Sequence, residues 1–431
     1  MDSKNSNPTL YVIGTMDTKG PEIQYVAEII RKSGLNVQTV DVSTTDATQV
    51  AITARPADIS AEQLLAKASS KKICSESLKE LASLDRAQAI EVMSLALVSF
   101  LKDEYVEGSL QGAVGLGGSG GTALIAPALR ALPIGLPKLL VSTVASGNIA
   151  PYVGSSDVMV LPSVVDVSGL NAVSTRILSN AANAMIGMAN GPSPDHPTRP
   201  AIALSMFGVT TPCVTGVRQA LEQAGYDCLV FHATGIGGQA MESLVSSGLV
   251  KGIIDLTTTE VADEVVGGVF PAGPKRFDVL SERRLPCVMS VGAMDMVNFG
   301  AMQTVPAPFQ NRNLHIHNSN VTLMRTTAQE NRKCAQWMAA KLAKSISPVH
   351  LLLPTQGLSA LDAPNKPFFD PSANHTLFDE LEKALDGLSH IRVERVDAHI
   401  NDPKFIERVI EVFHELSMNS NNAAKNPKDA N

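Results

Sequence analysis

Aromatic side chains and paired cysteines are scarce in this chain of 431 residues. Aromatics make up 4% of the composition, and the five cysteines are scattered without a CxxC pair. This usage argues against a disulfide scaffold and indicates reduced thiols in the cytosol. The formal net charge of −7 argues against direct, sequence-independent binding of nucleic acid, which requires a basic surface.

The chain also lacks any apolar run long enough to span a membrane, and its amino-terminal MDSKNSNP contains no hydrophobic signal region. We therefore expect a cytoplasmic protein without membrane contact. The nine histidines show no HxxxH or HExxH spacing, so no metal site can be assigned from the sequence.

Glycine and small aliphatic residues are abundant, and apolar strands alternate with amphipathic helices, which is typical of an α/β protein. The proline-rich stretch 191–200 predicts a linker between a first lobe, 1–190, and a second lobe, 201–418. Residues 419–431 are polar and predict a disordered tail.

Four segments recur in the same order in the two lobes, which indicates an internal duplication. Each pair shares a glycine or a proline; the pairs are Gly14 with Gly208, Gly34 with Gly225, Gly112 with Gly252, and Pro137 with Pro286. The fold class expected is α/β, with two Rossmann-like lobes that each contain a parallel sheet. The first copy carries extra helices at about 50–106, and a continuous helix is predicted over 75–107.

The most informative stretch is LQGAVGLGGSGGTALIAPALRA, in which an apolar strand leads through glycines into a helix. Glycines let backbone N–H groups converge on an anion, and the helix amino end adds partial positive charge. No lysine of the GxxxxGK[ST] type follows, so this is not a standard P-loop. The candidate phosphate ligands are Gly117, Gly118, Ser119, Gly120, Gly121 and Thr122.

Two other turns leave strands of the same lobe, and the carboxyl ends of parallel strands share one edge of the sheet. GTMDTKG provides Gly14, Thr15, Asp17, Thr18 and Lys19, and STVASGN provides Ser142, Thr143, Ala145, Ser146, Gly147 and Asn148. Hydroxyls and the lysine could bind phosphates, and Asp17 could hold a hydrated Mg²⁺. For each of these side chains the alternative is turn capping.

Seven motifs together resemble one family of two-lobed α/β ATP-binding domains found in plants and microbes. They are GTMDTKGPE, GLGGSGGT, STVASGN, DVSGLN, TTTEVADE, HNSNVTLMRTT and INDP, and the resemblance covers about 10–418. Plant members of this family inhibit tobamovirus RNA replication. The resemblance implies ATP as cofactor and capture of a viral replication protein through its helicase region; it implies no demonstrated catalysis.

The helical insertion is not needed to complete the repeat, so it is a candidate surface for that protein partner. We place the surface at 75–106, with Glu80, Asp85, Gln88, Glu91 and Ser94 as candidate contact residues. A lid or a dimer contact is the alternative, and a homodimer is expected. A different class of function also remains open, namely an enzyme acting on a small phosphorylated or acyl substrate between the lobes.

Overall fold

A computed structural model describes residues 8–45, 55–192 and 199–425, and the side chains as far as residue 418. The chain divides into two compact units, 1–195 and 196–431. The division falls within the predicted linker 191–200, of which residues 193–198 lie outside the described part.

The first lobe is built on a five-stranded parallel sheet with the order β2-β1-β3-β4-β5. Its strands are β1 (Thr9–Gly14), β2 (Asn36–Asp41), β3 (Leu110–Gly117), β4 (Lys138–Ser142) and β5 (Met159–Pro162). Its helices are α1 (Met16–Lys32), α2 (Ala61–Ser70), α3 (Leu78–Leu81), α4 (Arg86–Val106), α5 (Ser119–Arg130), α6 (Ala150–Val153) and α7 (Ser174–Asn190).

Helices cover both faces of this sheet because the strands are apolar on both sides. Along β1, Leu10 and Val12 pack with residues of α1 and α7, whereas Tyr11 and Ile13 pack with residues of α2, α4 and α5. The alternation follows from the two-residue period of a strand. The carboxyl ends of β1, β3 and β4 are adjacent, which places their three turns at one edge.

The segment between β2 and β3, where the helical insertion is predicted, contains α2, α3 and α4, and its residues 46–54 lie outside the described part. The predicted continuous helix over 75–107 is wrong, because the chain breaks between Leu81 and Arg86. Ser77 caps α3 by accepting a hydrogen bond from the N–H of Glu80, and Asp85 caps α4 in the same way through Gln88. Two N-cap residues eight positions apart start separate helices.

The second lobe has a six-stranded parallel sheet with the order β7-β6-β8-β9-β13-β14 and a three-stranded antiparallel sheet with the order β10-β12-β11. Its strands are β6 (Ala201–Met206), β7 (Asp227–His232), β8 (Gly252–Thr257), β9 (Cys287–Gly292), β10 (Met296–Phe299), β11 (Leu314–Asn318), β12 (Val321–Arg325), β13 (Val349–Pro354) and β14 (Ile391–Val396). Its helices are α8 (Thr211–Gln223), α9 (Ile236–Ser246), α10 (Thr259–Val266), α11 (Ala328–Leu342), α12 (Pro371–Leu385) and α13 (Pro403–Lys425).

The duplication is visible in strand order and in individual hydrogen bonds. In both parallel sheets the first four strands of the lobe lie side by side in the order second, first, third, fourth. Gly112 pairs with the second residue of β1 and Gly252 with the second residue of β6. The carbonyl oxygens of Pro137 and Pro286 accept from the third strand of their own lobe, at 3.0 and 2.9 Å. The two lobes therefore repeat one topology in one register.

The last helix, α13, runs past the predicted end of the second lobe at 418 and reaches Lys425. The remainder of the predicted tail, 426–431, lies outside the described residues. No helix in the described ranges combines the length and the apolar character that crossing a bilayer requires.

Candidate functional site

The turn between β3 and α5 presents three backbone donors that no helical bond uses. The first bond of the helix runs from the N–H of Thr122 to the carbonyl of Gly118 at 2.8 Å, so the N–H groups of residues 119–121 precede it. A Cβ on Gly117 would lie 2.5 Å from the Thr122 nitrogen, so only glycine lets the chain fold back here. The three donors and the helix dipole favour an anion at this point.

A cavity of about 680 Å³ opens in front of these donors. Its wall contains nine of the residues predicted to bind nucleotide, drawn from all three turns: Thr15, Asp17, Thr18, Lys19, Gly118, Ser119, Gly120, Gly121 and Thr143. A volume of this size is within the usual range for small-molecule and cofactor sites.

The turn after β1 contributes side chains to the cavity but few backbone donors. The N–H of Met16 donates to Asp41 Oδ1 at 3.0 Å, and the N–H of Asp17 donates to Ser43 Oγ at 3.2 Å. Burial raises the pKa of Asp41, against the opposing effect of its hydrogen bonds from Ser43 and Met16. The amino end of α1 is thus satisfied within the protein, and α5 provides the free amides.

Asp17 and Lys19 differ in how far their polar atoms are already hydrogen-bonded within the protein. Asp17 accepts from the hydroxyl of Thr45 at 2.6 Å through Oδ2, while its Oδ1 is buried without a hydrogen-bond partner in the described part of the chain. Lys19 Nζ donates to the carbonyl of Val167 at 2.5 Å. Asp17 therefore has one carboxylate oxygen that the described protein leaves unsatisfied, and Lys19 is held against the loop that follows β5. Within the described ranges no three His, Cys, Asp or Glu residues cluster as metal ligands would.

The other predicted ligands are placed in structural positions. Thr122 and Ser142 are buried, and their hydroxyl oxygens lie 2.6 Å apart. Gly14 packs on Ile23, and Gly117 lies behind the helix turn. The rest of the STVASGN turn lies outside the cavity wall: Ala145, Ser146, Gly147 and Asn148.

The insertion forms part of the cavity wall, which the sequence did not indicate. Arg86 lines it together with five aliphatic residues of the insertion: Leu81, Ala82, Leu84, Ala89 and Ile90. The missed residue of greatest chemical interest is Arg86, which adds a cation. The sequence offered no signal for it, because the predicted continuous helix hid the helix start at Asp85 and only packing brings Arg86 to the glycine turn.

The outer side of the insertion bears most of the predicted partner-contact residues. Glu80, Asp85, Gln88 and Glu91 are exposed. Ser94 is only 8% exposed, so its prediction as a surface contact is wrong. It falls on the face of α4 that packs into the core, beside Met93 and Leu97.

In the second lobe a carboxylate of the protein occupies a corresponding edge of the sheet. Glu260 Oε1 accepts from the N–H groups of Gly235 and Gly238, at 2.6 and 3.1 Å, at the amino end of α9. Its Oε2 lies 3.0 Å from Nε of the buried Arg276. Burial raises the pKa of Glu260, against the opposing effect of Arg276.

Arg276 is the centre of this cluster. It also contacts Glu242 and Asp255, each at 2.7 Å. The three carboxylates hold its guanidinium in place. Within the described range 199–425, the third strand of this lobe, β8, leads into Thr258 and Thr259 instead of a glycine turn.

Comparison with known proteins places this geometry in a family. The N-terminal domain model of uncharacterised protein family UPF0261 matches residues 8–194, and the C-terminal domain model matches residues 199–417. A UPF0261 protein of Rhizobium meliloti is 46% identical over 408 residues, covering 95% of this chain and 99% of that protein.

Two tomato proteins are related almost as strongly. The ToMV resistance protein Tm-1 of Solanum lycopersicum is 43% identical over 444 residues, covering 99% of this chain and 58% of that protein. The ToMV susceptible protein tm-1 is 43% identical over 434 residues, covering 97% of this chain and 57% of its own length.

Among solved structures, the glycosyltransferase VinC in complex with DTDP aligns over 97% of this chain and 98% of its own, at 10% identity. The TM-score of 0.19 is too low to support any inference. The resemblance seen in the motifs is confirmed by the family models and the tomato relatives: this chain belongs to the UPF0261 family, with both of its domains present.

Proposed function

We propose that the first lobe binds ATP in its cavity, with the phosphates at the amino end of α5. The observation that carries this proposal is the row of three unused N–H groups, 119–121, that faces a cavity of about 680 Å³. Hydroxyls of Thr15, Thr18 and Thr143 line the same wall and add donors for phosphate oxygens.

A divalent cation fits the charge balance of this site. The cavity wall contains two acidic residues, Asp17 and Asp166, and two basic residues, Lys19 and Arg86. Such a wall does not neutralise a triphosphate by itself. The carboxylate of Asp17, which lines the cavity, would hold a hydrated Mg²⁺ that offsets the remaining charge.

Substitution of Gly118 tests the proposal directly. A Cβ there would meet only Thr143 Oγ1, at 3.9 Å, so a larger side chain projects into open space without displacing protein atoms. Calorimetry with Mg-ATP should show Gly118→Val binding at least about tenfold more weakly than the unchanged protein.

Gly147→Val is the matched control, because Gly147 is exposed and lies outside the cavity wall. It should bind Mg-ATP as the unchanged chain does. Equal affinity for all three proteins, or no binding by any, would reject ATP binding at α5.

We further propose that the chain is a cytoplasmic, homodimeric antiviral protein. It would bind the helicase region of a tobamovirus replication protein and thereby inhibit viral RNA replication. The name of the tomato resistance relative supports this, and the exposed face of the insertion provides an acidic surface through Glu80, Asp85 and Glu91. The susceptible relative is equally similar at 43%, so overall similarity alone does not confer resistance.

The partner surface is tested by charge reversal. A Glu80→Lys, Glu91→Lys double variant should lose binding to a purified helicase fragment and keep its affinity for ATP. Glu222→Lys, Glu411→Lys changes the charge equally on exposed positions of the second lobe and should change neither. If the Glu80→Lys, Glu91→Lys variant bound the helicase fragment as before, the partner surface would have to lie elsewhere on the chain.

An enzyme acting on a small phosphorylated or acyl substrate remains the second candidate. Steady ATP turnover by the pure chain that is lost in Gly118→Val would favour the enzyme, whereas tight ATP retention without turnover would favour the binding protein.

A further inference from the structure

The Arg86 guanidinium lies directly against the glycine turn. Arg86 is the first residue of α4, and its Nη2 atom would be 2.9 Å from a Cβ built on Gly120. It is exposed and lines the same cavity as the free amides of α5. Arg86 is distant from the glycine turn in sequence and does not lie on a strand of the sheet. It reaches the turn because the insertion packs there.

The charge of Arg86 is not neutralised within the described protein. Over residues 8–45, 55–192 and 199–425, no carboxylate oxygen is found within 4.0 Å of it. By contrast, Arg276, Arg395 and Arg408 each contact two or more carboxylates. A lone cation is also poorly placed for helix stability here, because the amino end of a helix carries partial positive charge.

A second source of positive potential faces the same space. Residues 119–121, whose N–H groups precede the first bond of α5, line the cavity, and no acidic residue lies in the first turn of that helix. An arginine and a helix amino end in contact repel one another unless an anion lies between them. Phosphate meets this requirement, because a guanidinium binds it through two parallel hydrogen bonds.

We propose that Arg86 is a phosphate-positioning residue, which grips from the insertion side the same phosphate that the α5 amides bind. This inference rests on the proposed nucleotide site and deepens it. The insertion then completes the ligand site in addition to presenting an outer surface. The ligands that fit are those with a terminal or bridging phosphate, and nucleosides without phosphate do not engage Arg86.

Three variants measured by calorimetry test the role of Arg86. Arg86→Ala should weaken Mg-ATP binding by about 10- to 100-fold, the range of a lost charge-assisted hydrogen bond. Arg86→Lys should recover only part of this loss, because an ammonium lacks the planar fork. Lys102→Ala removes one positive charge from an exposed position of the same helix and should bind as the unchanged chain does.

Adenosine provides a second readout that a general structural defect would not reproduce. The unchanged chain and Arg86→Ala should bind adenosine with equal affinity. Only the ratio of the affinity for ATP to the affinity for adenosine should fall. Gly120→Ala should imitate Arg86→Ala, since its new methyl group displaces the guanidinium.

The outcomes separate the two proposals. If the unchanged chain binds ATP and Gly118→Val does not, while Arg86→Ala binds normally, the site stands and the role of Arg86 is rejected. If the unchanged chain does not bind ATP, the proposed function fails first. Equal loss in Arg86→Ala and Lys102→Ala would also reject the phosphate contact, because any loss of charge would then suffice.

Discussion

The hydroxyl oxygen of Thr122 lies 2.6 Å from that of Ser142, and this buried pair joins the first turn of α5 to the end of β4. Ser142 Oγ also accepts from the N–H of Val144 at 3.2 Å. The pair ties the start of α5, where the three free amides lie, to the sheet. Two residues that look like ligands in the sequence therefore take part in the packing of the turn.

Thr122→Val should destabilise the first lobe by about 1–2 kcal/mol, because it leaves the buried hydroxyl of Ser142 without one partner. Denaturation by urea, followed by circular dichroism, measures the change in the free energy of unfolding. Ser146→Ala removes an exposed hydroxyl from the turn after β4 and should leave that free energy unchanged. An unchanged Thr122→Val protein would show that the pair does not stabilise the turn.

Asp17→Asn should separate metal-dependent from metal-free binding of ATP. The amide keeps an acceptor for Thr45 but removes the negative charge that would hold Mg²⁺. Calorimetry should show roughly tenfold weaker binding of Mg-ATP and no loss for ATP in the presence of a chelator. Glu91→Gln, an exposed carboxylate on α4, is the control. Equal weakening with and without Mg²⁺ would contradict a metal role for Asp17.

The stability of the second lobe should depend on pH through Asp295. Burial, and then the nearby Asp362, raises the pKa of Asp295 to about 7. In the unfolded chain the pKa of an aspartate is about 3.9. Between these values only the folded state binds this proton, so the contribution of Asp295 to stability falls as pH rises from about 4 to about 7 and is constant above.

The single tryptophan, Trp337, belongs to α11 and reports unfolding of the second lobe by fluorescence. Asp295→Asn cannot ionise and should gain stability relative to the unchanged chain as pH rises, by about 4 kcal/mol between pH 4 and pH 8 as an upper bound. Asp227→Asn, which changes an exposed carboxylate, should show the same dependence of stability on pH as the unchanged chain. A constant difference between Asp295→Asn and the unchanged chain would contradict the raised pKa.

Arg276→Met should be among the most destabilising single changes in the second lobe. It leaves Glu242, Asp255 and Glu260 buried together without their cation. Removal of one partner from a buried ion pair typically costs about 3–5 kcal/mol. Trp337 fluorescence in urea measures the loss, and Arg284→Met is an exposed control. If Arg276→Met lost no more stability than Arg284→Met, the three buried carboxylates would have become protonated without lowering the free energy of unfolding.

The sequence predicted that the three turns meet at one edge of the sheet, where the cavity lies, because strand ends and glycine turns are local features. It could not tell which of two similar turns has free amides. Met16 N–H is taken by Asp41, which lies 25 residues away on β2, and that contact follows from the order of strands. Arg86 was missed for the same kind of reason, since only the packing of α4 brings it to Gly120.

The internal carboxylate of Glu260 makes the two lobes unequal in what they require from the cell. The second lobe carries its own anion at the amino end of α9, so that helix end needs no bound ligand. On the proposal that α5 binds nucleotide, the unfolding equilibrium of the first lobe should move with nucleotide concentration. Depletion of nucleotide should then make the first lobe the part of the chain most open to proteases and chaperones.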